Sequence, residues 1–469
     1  MELKNNYKIT TLIFFFTFCF TFSKGQNQLL SKNEMKKDIA ELFEKLNNIH
    51  PNLYGNSNKE SINLKKDSII NSLPKTLLST EFSRLIAPLI VSLNDGHTRV
   101  EYPKNFFKKL YKKGIKLFPI KVTIDKERRI FCVGNYNNIK DGDEILEING
   151  IESKKIVKTL ESYTAGKRLD YKRYCLSKDF NKSIYFVYNF DNKSVIKTNA
   201  GFKGSLHDIE YKDKDSDHYE PDFNYQIFDT VAYLRVGIFM FPKKFYSVVD
   251  NCFEEIKNRN IKKLIIDLRD NPGGNSMFAN SLTDYILNDT LDLDKTVKRT
   301  ITKASKESRR FYYGYCLKHT YLIPLLPFIP GMWSKSGTLI EQKGSGYEYP
   351  NFNDMNHFEG KVILLTSGCN YSAADDFIRN IKYYKLATII GEETGGARDS
   401  YGDIVYFKLK KSKIKIACSQ RIYYGHYLND MPLSGVKPDI SISWNNYTKK
   451  IDSLFINKII NLSKHKSLL

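Results

Sequence analysis

Apolar residues recur at helical spacing through residues 33–95, as in LFEKLNNI (Leu42 to Ile49) and FSRLIAPLIVSL (Phe82 to Leu93). Pro51, Gly55 and Pro74 punctuate this stretch into separate helices. From about residue 113 the pattern changes to short runs rich in β-branched and aromatic residues, IKLFPIKVTI and RRIFCVG. EILEI (Glu144 to Ile148) then alternates as a half-buried strand does, between the turn signals Asp141-Gly142-Asp143 and Asn149-Gly150. Residues 220–290 alternate strands with helices, the pattern of a parallel or mixed sheet covered by helices. TVAYLRV and KKLIIDL (Lys262 to Leu268) are strands and NSMFANSLTDYIL is a helix. Residues 291–358 show no clean period and contain YLIPLLPFIPGMW (Tyr321 to Trp333), whose prolines forbid a continuous helix. The regular pattern resumes with KVILLT (Lys361 to Thr366), the helix YSAADDFIRNIKYY, the strand LATII, a glycine-rich turn, and the strands DIVYFKL, KIKIACS and DISIS. An amphipathic helix from about Lys449 to Leu462 closes the chain, and no internal repeat is visible.

The start of the chain changes this picture. Lys4 and Lys8 precede the apolar run Ile9 to Phe22, and Ser23 and Gly25 are small residues placed for a cut ahead of Gln26. That run is shorter than the ~20 residues of a spanning helix. An exported protein is expected, periplasmic or extracellular. The full chain carries a formal net charge of +21, with its lysines scattered rather than gathered into an Arg-rich stripe. Such a surface suits acidic partners or anionic lipid headgroups, and no nucleic-acid motif accompanies it. Beyond the signal segment, Cys132, Cys175, Cys252, Cys316, Cys369 and Cys418 are sparse and lack metal-ligand spacing, so no disulfide framework and no metal site are expected.

Three segments carry candidate chemistry. In VILLTSGCNYSAADDFIRNI a buried strand ends at Thr366, and Ser372 stands where a helix begins. A serine there has its hydroxyl presented at a strand end, next to free helix N–H groups suited to an oxyanion. The same position is also the ordinary place of an N-capping serine. In IIDLRDNPGGNS a strand runs into Asn-Pro-Gly-Gly, where Gly273 and Gly274 let backbone N–H groups approach a ligand. It reads equally as a plain strand-to-helix turn. In VSLNDGHTRV, His97 follows an Asp-Gly turn; histidine is the usual general base for a serine hydroxyl. Cys369, close to Ser372, reads as a small buried apolar residue.

The order DGHT, DLRDNPGG, strand–turn–Ser372–helix, GEETGG (Gly391 to Gly396) and GVKPDI (Gly435 to Ile440) resembles the tail-specific, or C-terminal processing, serine peptidases, including their tricorn-core-like branch. The resemblance spans about residues 80–445. IKDGDEILEINGI (Ile139 to Ile151) resembles a segment of PDZ domains and lies where many members of that family carry theirs. The resemblance implies an α/β, crotonase-like (ClpP/crotonase-type) peptidase core, with an N-terminal helical segment and a PDZ-like β-rich domain. The expected division is a signal peptide (1–25), a helical region carrying DGHT (26–112), the PDZ-like domain (113–200), the core (220–448, with an irregular insertion at about 291–358) and a terminal helix (449–469). It also implies Ser372 as nucleophile, the N–H groups of Ala373 and of Gly273 or Gly274 as oxyanion hole, no cofactor, and hydrolysis of peptide or protein substrates. A PDZ-like domain would capture such a substrate by its C-terminal end as an added strand.

Departures from the family pattern narrow the mechanism. One branch uses a Ser-Lys dyad; the aligned position here is Ala397, followed by Arg398, and arginine stays protonated. The other branch takes its base from the motif matched by DGHT, which assigns His97 that role. Its tricorn members have a serine where this chain has Gly96, and a glutamate before GV-x-PD where this chain has MPLS (Met431 to Ser434). The orienting third residue is therefore open: Asp403 first, Asp375 second, or a Ser-His dyad without a carboxylate. A binding protein on the same fold that lacks activity, and a hydrolase of non-peptide acyl substrates, are the alternatives.

Overall fold

The computed structural model describes residues 28–102, 106–207, 209, 222–287, 298–318, 323–324, 327, 329, 331–343, 357–397, 399–425, 434–444 and 451–464. The signal segment, Met431 and most of the proline-rich run fall outside these residues, as does Arg398.

Three bodies of secondary structure are present. The first is a six-stranded sheet in the order Phe223–Phe228, Val231–Val236, Lys263–Asp267, Lys361–Thr366, Thr388–Gly391, Ile440–Ser441. Its first pair is antiparallel and the rest run parallel. Parallel strands are normally buried on both faces, which explains the near-continuous apolar runs KLIID and KVILLT. Leu264, Ile266, Val362 and Leu364 face the helices Pro242–Asn258, Ser276–Asp284 and Ala373–Tyr383. Ile265, Ile363, Leu365 and Ile390 face the helix Ser453–Lys464 through Phe455, Ile456, Ile459 and Ile460.

The second body joins the N-terminal helices to an antiparallel sheet in the order Leu339–Lys343, Lys298–Lys303, Lys415–Gly425, Ser400–Lys408. Helix Lys32–Ile49 opens on a capping box, Ser31 with Glu34. Its apolar stripe Met35, Ile39, Leu42 and Leu46 packs, with Phe82, Ile86 and Ile90 of helix Ser79–Val91, onto Val405, Phe407, Ile416 and Cys418. The short strand Arg99–Val100 adds to the same sheet, Val100 opposite Ile416. The helical region is thus no separate lobe, and the DGHT loop is fastened to the sheet that follows the core in sequence.

The third body, about residues 117–206, is an antiparallel sheet with helices Ser153–Glu161, Leu169–Lys178 and Phe180–Tyr188 and a core of its own. Asn149 and Gly150, both at positive φ, turn the chain between Glu144–Ile148 and Ile151–Glu152.

The expected irregular insertion is corrected. It supplies strand Lys298–Lys303, helix Lys306–Lys318 and strand Leu339–Lys343, which extend the antiparallel sheet. KRTITK hides its strand because its charged residues leave little apolar signal, a common property of strands near a sheet edge. The terminal helix is Ser453–Lys464; its expected start at about Lys449 lies outside the described residues.

Leu364, 1% exposed, lies at the centre of the parallel sheet. Leu364→Ala should cost about 2–5 kcal/mol, read as a lowered urea midpoint. Leu454→Ala, at a residue 80% exposed, should leave the midpoint within the error of an ordinary surface change.

Candidate active site

Ligands of open α/β sheets bind beyond the carboxyl ends of the parallel strands. Here two fully buried asparagines join those ends. Asn271 donates to the Val236 carbonyl at 3.1 Å, and its Oδ1 accepts the Gly273 N–H at 2.8 Å. Asn370 donates to the carbonyls of Leu268 (2.6 Å) and Asn271 (3.0 Å), and its Oδ1 accepts the Ser367 N–H at 2.8 Å. Three neighbouring strand ends are therefore tied side chain to backbone, and the turn 367–371 is held over the turn 268–274.

Ser372 stands on this platform immediately before helix Ala373–Tyr383, at φ 53° and ψ −129°. A non-glycine residue there is strained by about 1–3 kcal/mol. Its side chain makes no capping bond to the helix, so the N-cap role open to it in the sequence is not the one it takes. A Cβ on Gly273 (φ 108°) would lie 2.4 Å from the Tyr371 carbonyl oxygen and 3.0 Å from Ser372 Cβ, so only glycine admits this approach. The two candidate glycine donors separate here. The Gly273 N–H is engaged by Asn271 and is corrected out of that role. The N–H groups of Ala373 and Gly274 have no protein acceptor among the described residues.

The DGHT loop reaches the same place. A Cβ on Gly96 would lie 2.6 Å from Tyr371 Oη, which explains why no serine stands there. The His97 ring tilts against the Tyr371 ring with centroids 5.2 Å apart, and Tyr371 stacks in turn on Tyr171 at 4.2 Å. No hydrogen bond joins the Ser372 hydroxyl to His97 in this structure; the ring packs on the residue just before the serine. His97 Nδ1 is buried, without a hydrogen-bond partner, 4.0 Å from Asp95 Oδ1. Burial lowers the imidazole pKa below its ordinary 6.5; Arg99 adds to this, while Asp95, the Tyr401 backbone and Asp403 oppose it. The ring is therefore neutral at neutral pH, as a base requires.

Neither proposed orienting carboxylate bonds His97. Asp403 accepts from Tyr423 Oη at 2.7 Å and pairs with Arg421 at 2.8 Å, touching His97 only as a distant charge. This corrects its assignment: Tyr423 and Arg421, on the adjacent strand, claim both its oxygens. Asp375 pairs with Arg379 at 2.8 Å and accepts from Thr394, which locks the GEETGG turn to the helix. Burial pushes its carboxyl up to about 6 against the pull of Arg379 and Thr394. Cys369 is buried and burial raises its thiol well above the usual range, so it is no competing nucleophile. Sequence patterns passed over the two asparagines, Asp95, and His50, which sits beside Asp95. Asp95 was legible as the first letter of DGHT; His50, 45 positions earlier, carried no signal of its own.

Residues 230–442 match the model of peptidase family S41. No curated protein matches the chain. Among solved structures, a point mutant of CPAF superposes with a TM-score of 0.64 at 14% identity, covering 93% of this chain and 96% of that one. Mature CPAF complexed with lactacystin superposes with a TM-score of 0.59 at 13% identity, covering 93% and 98%. At such identities the likeness is one of fold, an α/β peptidase core with a β-rich domain.

Gly273→Ala should lower the thermal midpoint by the equivalent of at least about 1–3 kcal/mol, from positive φ and the clash with Tyr371. Gly314→Ala, inside helix Lys306–Lys318 with nothing within 4 Å, should raise it by about 0.5–1 kcal/mol.

Proposed function

We propose that the chain is an exported serine-type peptidase, with Ser372 as nucleophile and His97 as general base, on a core whose residues 230–442 match the family S41 model. The observation that carries this reading is the state of Ser372. Its hydroxyl makes no capping bond to the helix it precedes, its backbone sits at positive φ against Gly273, and the residue before it, Tyr371, packs on the His97 ring.

In this mechanism the His97 ring swings from Tyr371 toward Ser372, and its Nε2 accepts the hydroxyl proton as Oγ attacks the peptide carbonyl. Catalytic hydrogen bonds that are long in a free enzyme often close only with substrate. The carbonyl oxygen gains the negative charge and is met by the N–H groups of Ala373 and Gly274. The protonated ring then gives its proton to the leaving amine as the C–N bond breaks. Water, deprotonated by His97, attacks the acyl-enzyme and regenerates Ser372. The unit at 117–206 would present an edge strand to the substrate's C-terminal end. Export is supported by Lys4 and Lys8 ahead of the apolar run Ile9 to Phe22.

A fluorophosphonate probe should label the native protein, and Ser372→Ala should abolish labelling; equal labelling of the two removes Ser372 from its role, and an unlabelled native protein favours a binding protein. His97→Ala should slow peptide cleavage by at least about 10²-fold. Because burial lowers the His97 pKa, the acid limb of the rate profile should lie below the usual imidazole value of 6.5. In an exporting host, the mature protein should begin at Gln26 by mass spectrometry.

A further inference from the structure

We propose that the buried carboxylate of Asp95, fixed by His50, Thr98 and Ser419, is the positioning residue that orients His97 and carries the counter-charge for its protonated ring. The inference rests on the reading of His97 as the base.

Asp95 is 2% exposed, and donors from three elements surround its carboxylate. The Asn52 N–H donates to His50 Nδ1 at 3.2 Å, which places the His50 proton on Nε2. The His50 Nε2–H donates to Asp95 Oδ2 at 3.3 Å. The same oxygen accepts from Thr98 Oγ1 at 2.6 Å and from Ser419 Oγ at 2.7 Å. With three donors, Oδ2 is saturated. Oδ1 accepts only the His97 backbone N–H, at 3.0 Å, and faces His97 Nδ1 at 4.0 Å. The less occupied oxygen of a buried carboxylate thus lies 4.0 Å from a buried ring nitrogen that makes no hydrogen bond.

The mounting is rigid. His50 ends helix Lys32–Ile49, with its ring against Tyr401 at 4.6 Å. Ser419 belongs to strand Lys415–Gly425, and its N–H donates to Thr98 Oγ1 at 3.1 Å. The carboxylate therefore cannot follow the ring when it swings; the ring must pivot about it. With Nδ1–H given to Asp95, Nε2 is left unprotonated to accept from Ser372. The carboxylate then stabilises the imidazolium without taking its proton. The other groups facing His97 are Arg99 two residues on, Asp403 of strand Ser400–Lys408, the Tyr371 ring and the Tyr401 backbone. Asp403 is already paired with Arg421 and Tyr423.

The test is the pH dependence of fluorophosphonate labelling for the native protein, Asp95→Asn, Ser419→Ala and Ser372→Ala. Asp95→Asn should slow labelling at pH 7.5 by about 10²- to 10⁴-fold and move the acid limb to lower pH, because the charge that favours the imidazolium is gone. Ser419→Ala should move the limb the other way, to higher pH, because one donor fewer leaves more charge on the carboxylate for His97. A residue that only holds the loop together would change the amplitude of labelling and leave the limb in place. If Asp95→Asn does not fold, Ser419→Ala decides alone, and an unmoved limb overturns the proposal. Labelling of Ser372→Ala, or none of the native protein, would instead overturn the assignment of the nucleophile, on which this inference stands.

Discussion

The close approach of the Asn-Pro-Gly-Gly turn to the backbone of Tyr371 and Ser372 is the constraint on which the site depends. It forbids a side chain at Gly273 and draws the turn before helix Ala373–Tyr383 tight enough to push Ser372 to positive φ. A strained backbone persists only where its surroundings over-determine it. Asn271 and Asn370 supply that determination, because both are wholly buried and bonded on oxygen and nitrogen. Removing either would leave a buried N–H, of Gly273 or of Ser367, without its acceptor, at about 1–3 kcal/mol. The strain at Ser372 is therefore opposed by a larger cost of letting it relax.

The base reaches this platform by a different route. The chain forms His97 long before it forms the parallel sheet, and nothing local connects the two. The connection is made by the N-terminal helices, which bury their apolar stripes on strands 400–408 and 415–425, and by Val100, which pairs with Ile416. Since those strands follow the Ser372 helix in sequence, the DGHT loop is docked only when the last third of the chain has folded. Folding is thereby coupled to assembly of the site: a chain lacking strands 400–425 would hold the serine turn yet have nowhere to seat His97.

What the sequence made legible follows from which forces act locally. KLIID and KVILLT are apolar throughout because the sheet is covered on both faces, so their run is visible without knowledge of their neighbours. The serine, the glycine pair and the histidine were likewise marked by turn chemistry within a few residues. The strands 298–303 and 339–343 were missed because their charged residues dilute the apolar signal and their pairing is non-local: they pair with each other, and the first also pairs with the far strand 415–425. The carboxylate beside His97 was sought downstream, at Asp403 and Asp375, on the family pattern. Those two answer instead to Arg421, Tyr423, Arg379 and Thr394, partners that only the fold brings near.

The electrostatics of the centre show why a buried carboxylate suits a buried ring. Water exclusion lowers the affinity of His97 for a proton, which keeps it a free base but also makes its protonated form costly. Burial acts on Asp95 in the opposite sense, yet the hydrogen bonds donated by His50 and Ser419, among two nearby imidazoles, hold its carboxyl far below the usual carboxylate range. Asp95 is thus charged at neutral pH, and it was desolvated during folding, not during reaction. A charge already stripped of water and held by three donors needs no reorganisation when the ring beside it becomes positive. Such a fixed charge stabilises a transient cation more than a solvated one could.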